Sequence, residues 1–195
     1  MPMIRSLITV HGRWRRKLDQ SWSEYYADVR QDIEGLKTVY PFVQVFLPPT
    51  TQPQLVQLTV VAVDNDVVHE TFATKDDFLG EYSKRVFVTI PRDYKLKGCN
   101  IYGGKWINTK VIPSRFHHFN GQRQDGERLL CVGVPDSFKE MRNVLLENIK
   151  TADRMLTAYE LFQTGKTNRL ELIAYSHGEK GINEYRKQKK KYQTK

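Results

Sequence analysis

Cysteine is scarce in this sequence, since only Cys99 and Cys131 occur among its 195 residues. Two cysteines cannot build the disulfide framework of a small secreted domain, so we expect two reduced thiols and a cytoplasmic protein. Long apolar runs are missing as well, because no stretch approaches the roughly 18 residues that a membrane-spanning helix requires. The apolar run at 1–5 is too short for a secretory signal peptide. We therefore expect no membrane as a partner.

Acidic residues are in deficit, with 22 Asp and Glu against 31 Lys and Arg and a formal net charge of +9. The excess lies mainly at the two ends, in Arg13, Arg15, Arg16, Lys17, Arg186, Lys187, Lys189, Lys190, Lys191 and Lys195. Such basic ends suit a phosphate backbone or an acidic protein surface, and they also suit a solvated tail that aids solubility. The pattern predicts one domain over 18–178, between a basic N-terminal segment over 1–17 and a basic tail over 179–195.

Apolar periodicity predicts an N-terminal helix followed by short strands. Apolar side chains recur at helical spacing from about Leu18 to Lys37. The members of this pattern are Leu18, Trp22, Tyr25, Tyr26, Val29, Ile33 and Leu36. Strand-like runs follow at 42–47, 54–63, 67–72 and 84–90, separated by turn signals at 48–53 and 64–66. Connections this short cannot hold crossover helices, so we expect an antiparallel meander.

The second half of the chain predicts a loop, a strand and a long helix. The segment 91–125 mixes glycines with polar residues, and a loop of this length in a compact domain is usually functional. A short apolar run with Cys131 follows, and then a helical pattern from about Ser137 to Gln163, with Gly165 where a left-handed cap is expected. The predicted fold is α+β, with an N-terminal helix, a meander sheet, a cysteine-bearing strand and a long C-terminal helix.

Cys131 is the residue with the clearest chemical potential. A cysteine thiolate is a strong nucleophile, and its thioester divides acyl transfer into two easier steps. A polar loop precedes it, and in that loop the amide of Asn120 is a suitable donor to an oxyanion. Taken by residue type alone, a cysteine between Leu130 and Val132 is more often a small core residue.

The order of motifs around Cys131 resembles the ubiquitin-conjugating enzymes. The segments that carry the resemblance are 85–94, His118-Phe119-Asn120, 129–132 and 144–149. Residues 85–94 resemble the third strand of that family with its proline- and tyrosine-bearing turn. The His118 segment is similar to its His-Pro-Asn element, with phenylalanine in place of proline. Residues 129–132 resemble the strand that bears the catalytic cysteine, and 144–149 the helix after it. The resemblance implies that fold, with Cys131 as nucleophile.

A narrower resemblance concerns the end of the chain. The residues 159–165, followed by His177, are similar to the tail of bacterial conjugating-enzyme-like proteins of cyclic-oligonucleotide antiphage (CBASS) operons and of related ubiquitin-like operons. It implies that Cys131 accepts the C-terminal acyl group of a partner protein and passes it to an amine. The implied partners are a cyclic-nucleotide synthase or a ubiquitin-like modifier with its activating enzyme. No cofactor or metal is implied, and the implied site residues are Cys131, Asn120, His118 and His177.

Two departures leave the mechanism open. More residues separate Asn120 from Cys131 than in the eukaryotic enzymes, so Asn120 need not reach the thioester, and His117, His118 or His177 could take the polar role. The tryptophan that usually follows the cysteine strand is absent. The same residues therefore also suit a catalytically inactive scaffold with this fold, or a basic nucleic-acid-binding module.

Other sites are weakly indicated. Cys99, His117, His118 and Cys131 lack the paired ligand spacing of zinc sites. The sequence 165–167 ends like a phosphate-binding loop, but a predicted helix rather than a strand precedes it. Cys99 lies in a glycine-rich stretch without the strand-then-helix context, so we treat it as non-catalytic. Trp22, Tyr25 and Tyr26 could stack on bases, although aromatic residues at helical spacing are more often core.

Overall fold

The computed structural model describes residues 21–46, 54–61 and 85–168, together with the isolated positions Leu170, Asn183, Arg186 and Lys187. The elements are α1 (Trp22–Lys37), β1 (Val43–Phe46), β2 (Gln57–Val61), β3 (Arg85–Thr89), α2 (Tyr94–Lys97), β4 (Asn100–Gly103), a 3₁₀ turn (Ser114–Phe116), β5 (Phe119–Gln122), β6 (Arg128–Leu130), α3 (Pro135–Phe138) and α4 (Val144–Gln163). This order confirms the predicted α+β layout, in which the strands of an antiparallel sheet follow an N-terminal helix along the chain and precede a long C-terminal helix.

Several sequence predictions lie outside the described residues. They are the basic segment 13–17, the turns at 48–53 and 64–66, the strand-like run 67–72, His177 and the tail from 188 to 195.

The six strands form one antiparallel sheet in the order β1-β2-β3-β4-β6-β5. The pairs Val86↔Gly103 and Val88↔Ile101 lie on the face that α1 and α4 cover. Val86, Val88 and Ile101 belong to the hydrophobic core, and Gly103 is buried beside them. The alternating pair Phe87↔Tyr102 lies on the opposite face, which we call the outer face. The sheet therefore presents one face to the helices and leaves the other without a helix among the described elements.

Helix α1 begins at a capping box. The Ser21 side chain accepts from the backbone N–H of Glu24, and the Glu24 carboxylate accepts from the backbone N–H of Ser21. The predicted start at Leu18 was therefore four residues too early, because the apolar pattern continues across the cap. Tyr25 is fully buried, and its hydroxyl donates to the Ile90 carbonyl at 2.7 Å. Trp22 and Tyr26 pack against the same core, which confirms the core interpretation of these aromatics.

The prediction of one long loop over 91–125 was wrong. This segment contains α2, β4, the 3₁₀ turn and all of β5. The strands are only four residues long, and Gly103 of β4 contributes no side chain to the alternation that identifies strands. Strand β5 is largely exposed and polar, so its pairing with β6 defines it and its own apolar pattern does not.

The long C-terminal helix is interrupted near its predicted start. Helix α3 ends at Phe138, and α4 begins only at Val144, where the Asn143 side chain accepts from the N–H of Leu146. The prediction of a single helix from Ser137 was therefore wrong, because Phe138 and Met141 pack on the core from outside α4 and still match its spacing. Its end at Gln163 is confirmed. Gly165 has the expected left-handed backbone with φ of 71°. Among the described helices, none has both the length and the apolar character needed to cross a bilayer.

Candidate active site at Cys131

The hairpin of β5 and β6 positions Cys131. The register pairs Phe119 with Leu130 and Asn120 with Leu129, with an irregularity just after Asn120. Cys131 follows β6 directly, and its N–H donates to the His118 carbonyl at 2.9 Å. This bond extends the ladder by one pair and holds Cys131 in the geometry of the strand.

The side chain of Asn120 contacts the sulfur of Cys131. The Asn120 Nδ2 atom lies 3.3 Å from Cys131 Sγ, although the two residues are 11 positions apart. The sequence left open whether Asn120 reaches this sulfur, and the hairpin answers the question because the intervening residues turn back at 123–127. The Arg123 N–H closes that turn on the Glu127 carbonyl at 2.7 Å.

Strand alternation places this contact on the outer face of the sheet. Leu130 points to the core, where it is 3% exposed, and Leu129 pairs with Tyr102 of the outer face. Cys131 is two positions beyond Leu129 and shares its face. Cys131 is half-buried and Asn120 is exposed. Cys131 lies just beyond the end of β6, and the Tyr159 phenol of α4 is close enough to interact electrostatically with its thiol.

The histidines predicted near the nucleophile have different positions. His118 is buried at 8% exposure and forms the backbone pair with Cys131. The ring of His117 has its Nε2 atom 2.8 Å from the Ile112 carbonyl and stacks on Phe119. The structure therefore brings together Cys131, Asn120 and His118, and it directs His117 to the preceding loop. His177 lies outside the described residues.

The two thiols differ in environment. Burial raises the pKa of the Cys131 thiol above its ordinary value, so the free protein holds a neutral thiol at pH 7. Cys99 is 6% exposed, and burial together with the Asp32 carboxylate raises its pKa strongly. Its N–H donates to Asn148 Oδ1 at 2.7 Å. Cys99 is therefore a packed core residue.

We expect iodoacetamide to modify Cys131 and leave Cys99 untouched in the native protein. The thiolate is the reacting form, so the rate at Cys131 should be below that of free cysteine at pH 7 and should rise about tenfold per pH unit up to its raised pKa. Peptide mapping by mass spectrometry after timed labelling measures both sites. Equal labelling of Cys99 in the folded protein would contradict the burial described above.

The weakly indicated sites are not assembled. Within residues 21–46, 54–61 and 85–168, no three metal-ligating side chains converge, so the cysteines and histidines do not form a zinc site there. Gly165 and Lys166 follow the carbonyl end of α4, whereas phosphate groups bind at the N-terminal end of a helix.

The sequence interpretation assigned no place in the site to Tyr159. Its hydroxyl contacts the backbone at Phe116 and His118, next to the hairpin. One signal was available, since a tyrosine on the apolar face of a helix needs a partner for its hydroxyl. The partner itself could not be identified from local pattern.

The comparisons with known proteins give no relative. The chain matches no protein-family model, no curated protein and no solved structure. The function has to be inferred from the chemistry at Cys131.

Proposed function

We propose that this protein is a ubiquitin-conjugating-enzyme-like acyl carrier with Cys131 as its nucleophile. One observation carries the proposal: the Asn120 amide lies 3.3 Å from the Cys131 sulfur. An uncharged N–H donor beside a nucleophilic sulfur also lies beside the carbonyl oxygen of a thioester formed there. The contact combines the two groups that the resemblance to conjugating enzymes implies, a nucleophile and an oxyanion donor.

The chemistry runs through two exchanges at one carbonyl carbon. In the first, the Cys131 thiolate attacks the thioester of a partner's C-terminus on an activating enzyme, a new C–S bond forms, and the activating enzyme's thiolate leaves. In the second, an amine attacks the Cys131 thioester, loses a proton to solvent, and releases the Cys131 thiolate. Each exchange passes through an oxyanion, to which Asn120 donates.

The raised pKa of Cys131 has a consequence for the second exchange. A thiolate of higher basicity is a poorer leaving group, so the thioester is longer-lived. Burial, the cause of the raised pKa, also limits the approach of water to the carbonyl carbon. A long-lived thioester suits a carrier, which must keep its acyl group until an amine arrives, and it increases the need for an oxyanion donor.

The surrounding fold supports the same proposal. The protein has a meander sheet between an N-terminal helix and C-terminal helices, with the cysteine after a strand and before those helices, as the resemblance implies. We propose a role in bacterial antiphage defence in a reducing cytoplasm. The acyl donor is a cyclic-nucleotide synthase or a ubiquitin-like modifier, and ATP is used by a separate activating enzyme.

The experiment that tests the proposal is trapping of the acyl intermediate. When the chain is expressed together with its neighbouring genes, we expect Cys131→Lys to accumulate an amide-linked adduct and Cys131→Ser an ester-linked one. Intact-mass measurement and peptide mapping identify the partner and the attachment site. The matched control is Cys99→Ala, which removes the other thiol and keeps Cys131, so no ester- or amide-linked adduct should accumulate.

Two results would contradict the proposal. If Cys131→Lys carries no adduct, or if Cys131→Ala keeps full antiphage protection, Cys131 is not an acyl carrier. The inactive-scaffold alternative would then stand, although the sequence spacing that favoured it is accommodated by the turn of the hairpin. Steeply salt-dependent binding to plain duplex DNA or RNA would favour the nucleic-acid alternative.

A further inference from the structure

Tyr159 links helix α4 to the backbone that leads into the site. Its side chain is fully buried. The hydroxyl donates to the Phe116 carbonyl at 2.5 Å and accepts from the His118 N–H at 3.2 Å. One phenol thus satisfies two backbone groups of the segment that joins the 3₁₀ turn to β5, and it ties that segment to α4.

The same segment is held from its other side by Cys131. The His118 carbonyl accepts the Cys131 N–H, so this one residue is bonded to Tyr159 through its N–H and to Cys131 through its C=O. The Phe119 ring meets the Tyr159 ring edge-on, with centroids 6.0 Å apart. Asn120 is the next residue along the chain.

Strand β5 has few other constraints. Among the described strands it lies at the edge of the sheet and pairs with β6 alone, and its register is irregular immediately after Asn120. Gly121 adds a left-handed φ of 61° at the same point. The position of Asn120 is therefore set by its pairing with Leu129 of β6 and by the backbone that precedes it, which is the backbone that Tyr159 binds.

We propose that Tyr159 is a positioning residue, which holds Asn120 at hydrogen-bond distance from the Cys131 sulfur through the backbone of Phe116 and His118. A role of Tyr159 in acyl transfer rests on the proposed function. Its effect on the Cys131 thiol does not, because the contact between Asn120 and the sulfur exists in the free protein.

The effect on the thiol follows from the hydrogen bond. An N–H donor stabilises a thiolate more than a thiol, so loss of the Asn120 contact disfavours the thiolate. Among the described residues, two ionisable groups beside Cys131 are the Tyr159 phenol from α4 and His118, which directly precedes β5. Burial raises the pKa of Tyr159 to about 12, so the phenol is uncharged across the working range and its removal deletes no charge. His118 is retained in every variant below.

Tyr25 supplies a matched control. It is also fully buried, and its hydroxyl also bridges two backbone groups, donating to the Ile90 carbonyl at 2.7 Å and accepting from the Val56 N–H at 2.9 Å. These bonds join α1 to the sheet away from the β5–β6 hairpin. Tyr25→Phe and Tyr159→Phe thus remove the same chemical group from equally buried positions.

The experiment is the pH profile of Cys131 alkylation by iodoacetamide, with thermal stability measured in parallel. We expect Tyr159→Phe and Asn120→Ala each to slow alkylation at pH 8 roughly fivefold and to move the profile to higher pH. The double variant should equal Asn120→Ala, because both changes remove one contact. Tyr25→Phe should lower the melting temperature by a similar amount and leave the profile in place.

Two results would overturn the inference. The first is a pH profile of Cys131 alkylation in Tyr159→Phe that is the same as in the wild type. That result is expected only for the control, Tyr25→Phe. The second is faster alkylation in Tyr159→Phe with labelling of Cys99, which means general loosening of the fold. If the alkylation shifts occur as expected while Cys131→Lys traps no adduct, Tyr159 positions Asn120 and the acyl-transfer proposal alone fails.

Discussion

Replacement of Asn120 by alanine should slow aminolysis of a Cys131 thioester by roughly 10²- to 10³-fold, the range observed when one oxyanion donor is removed. The reason is geometric, because the Asn120 Nδ2 atom lies 3.3 Å from the sulfur and therefore near the oxygen of an acyl group attached there. Asn120 is exposed, so its truncation should change the stability of the fold little. The expected signature is a lost rate in an intact protein.

The measurement can be made without the natural donor. A short peptide with a C-terminal thioester charges Cys131 by thiol exchange, and mass spectrometry then follows transfer of the peptide to free lysine. The matched control is Gln122→Ala, since this exposed amide on the same strand donates to the Gly126 carbonyl in the turn. A rate for Asn120→Ala within about threefold of the Gln122→Ala rate would remove Asn120 from the mechanism.

Substitution of Gly98 by alanine should destabilise the fold by about 2–5 kcal/mol. Gly98 has φ 83° and ψ 176°, a backbone conformation open almost only to glycine. A Cβ there would also meet Phe138 Cζ at 2.6 Å and Asn148 Oδ1 at 3.0 Å. Phe138 packs against Gly133 as well, two residues after Cys131, so its displacement would disturb the chain that leaves the site.

Gly165→Ala is the matched control for this effect. Gly165 also has a positive φ, 71°, but a Cβ there would have nothing within 4 Å. Its substitution should therefore cost only the backbone strain of a left-handed residue, about 1 kcal/mol. The difference between the two variants measures the packing at Phe138 together with the additional strain of the Gly98 backbone. Denaturant unfolding with equal m-values gives both free energies. Equal losses of unfolding free energy in Gly98→Ala and Gly165→Ala would contradict the close packing of Phe138 against Gly98.

Local patterns identified the elements that have a strong period of their own. The helix at Trp22–Lys37 and the strands β1, β2 and β3 were predicted because their apolar residues recur at 3.6 or 2 positions. The boundaries were less reliable. Ser21 caps the start of α1, which periodicity had placed at Leu18. Helix α4 begins at Val144 after its cap Asn143, seven residues beyond the predicted start, since caps depend on single side chains.

Strands β4 and β5 were missed for a physical reason. Both are four residues long, and β5 is mostly exposed, so neither carries enough apolar alternation to identify it. They form because neighbouring strands offer unpaired backbone groups, and that condition is set by the whole sheet. The sequence could not show that the predicted loop over 91–125 contains β4, an inner strand of the sheet, and β5, which lies at its edge.

The amino-acid sequence by itself determined the α+β class and singled out Cys131 and Asn120, because residue type and local periodicity are properties of short segments. Only the tertiary structure decided that these two side chains meet. Their contact depends on the register of the β5–β6 hairpin, on the turn between 123 and 127, and on the bonds by which Tyr159 holds the strand from a helix 41 residues away from His118. Residues so far apart in the sequence come into contact only when the core packs.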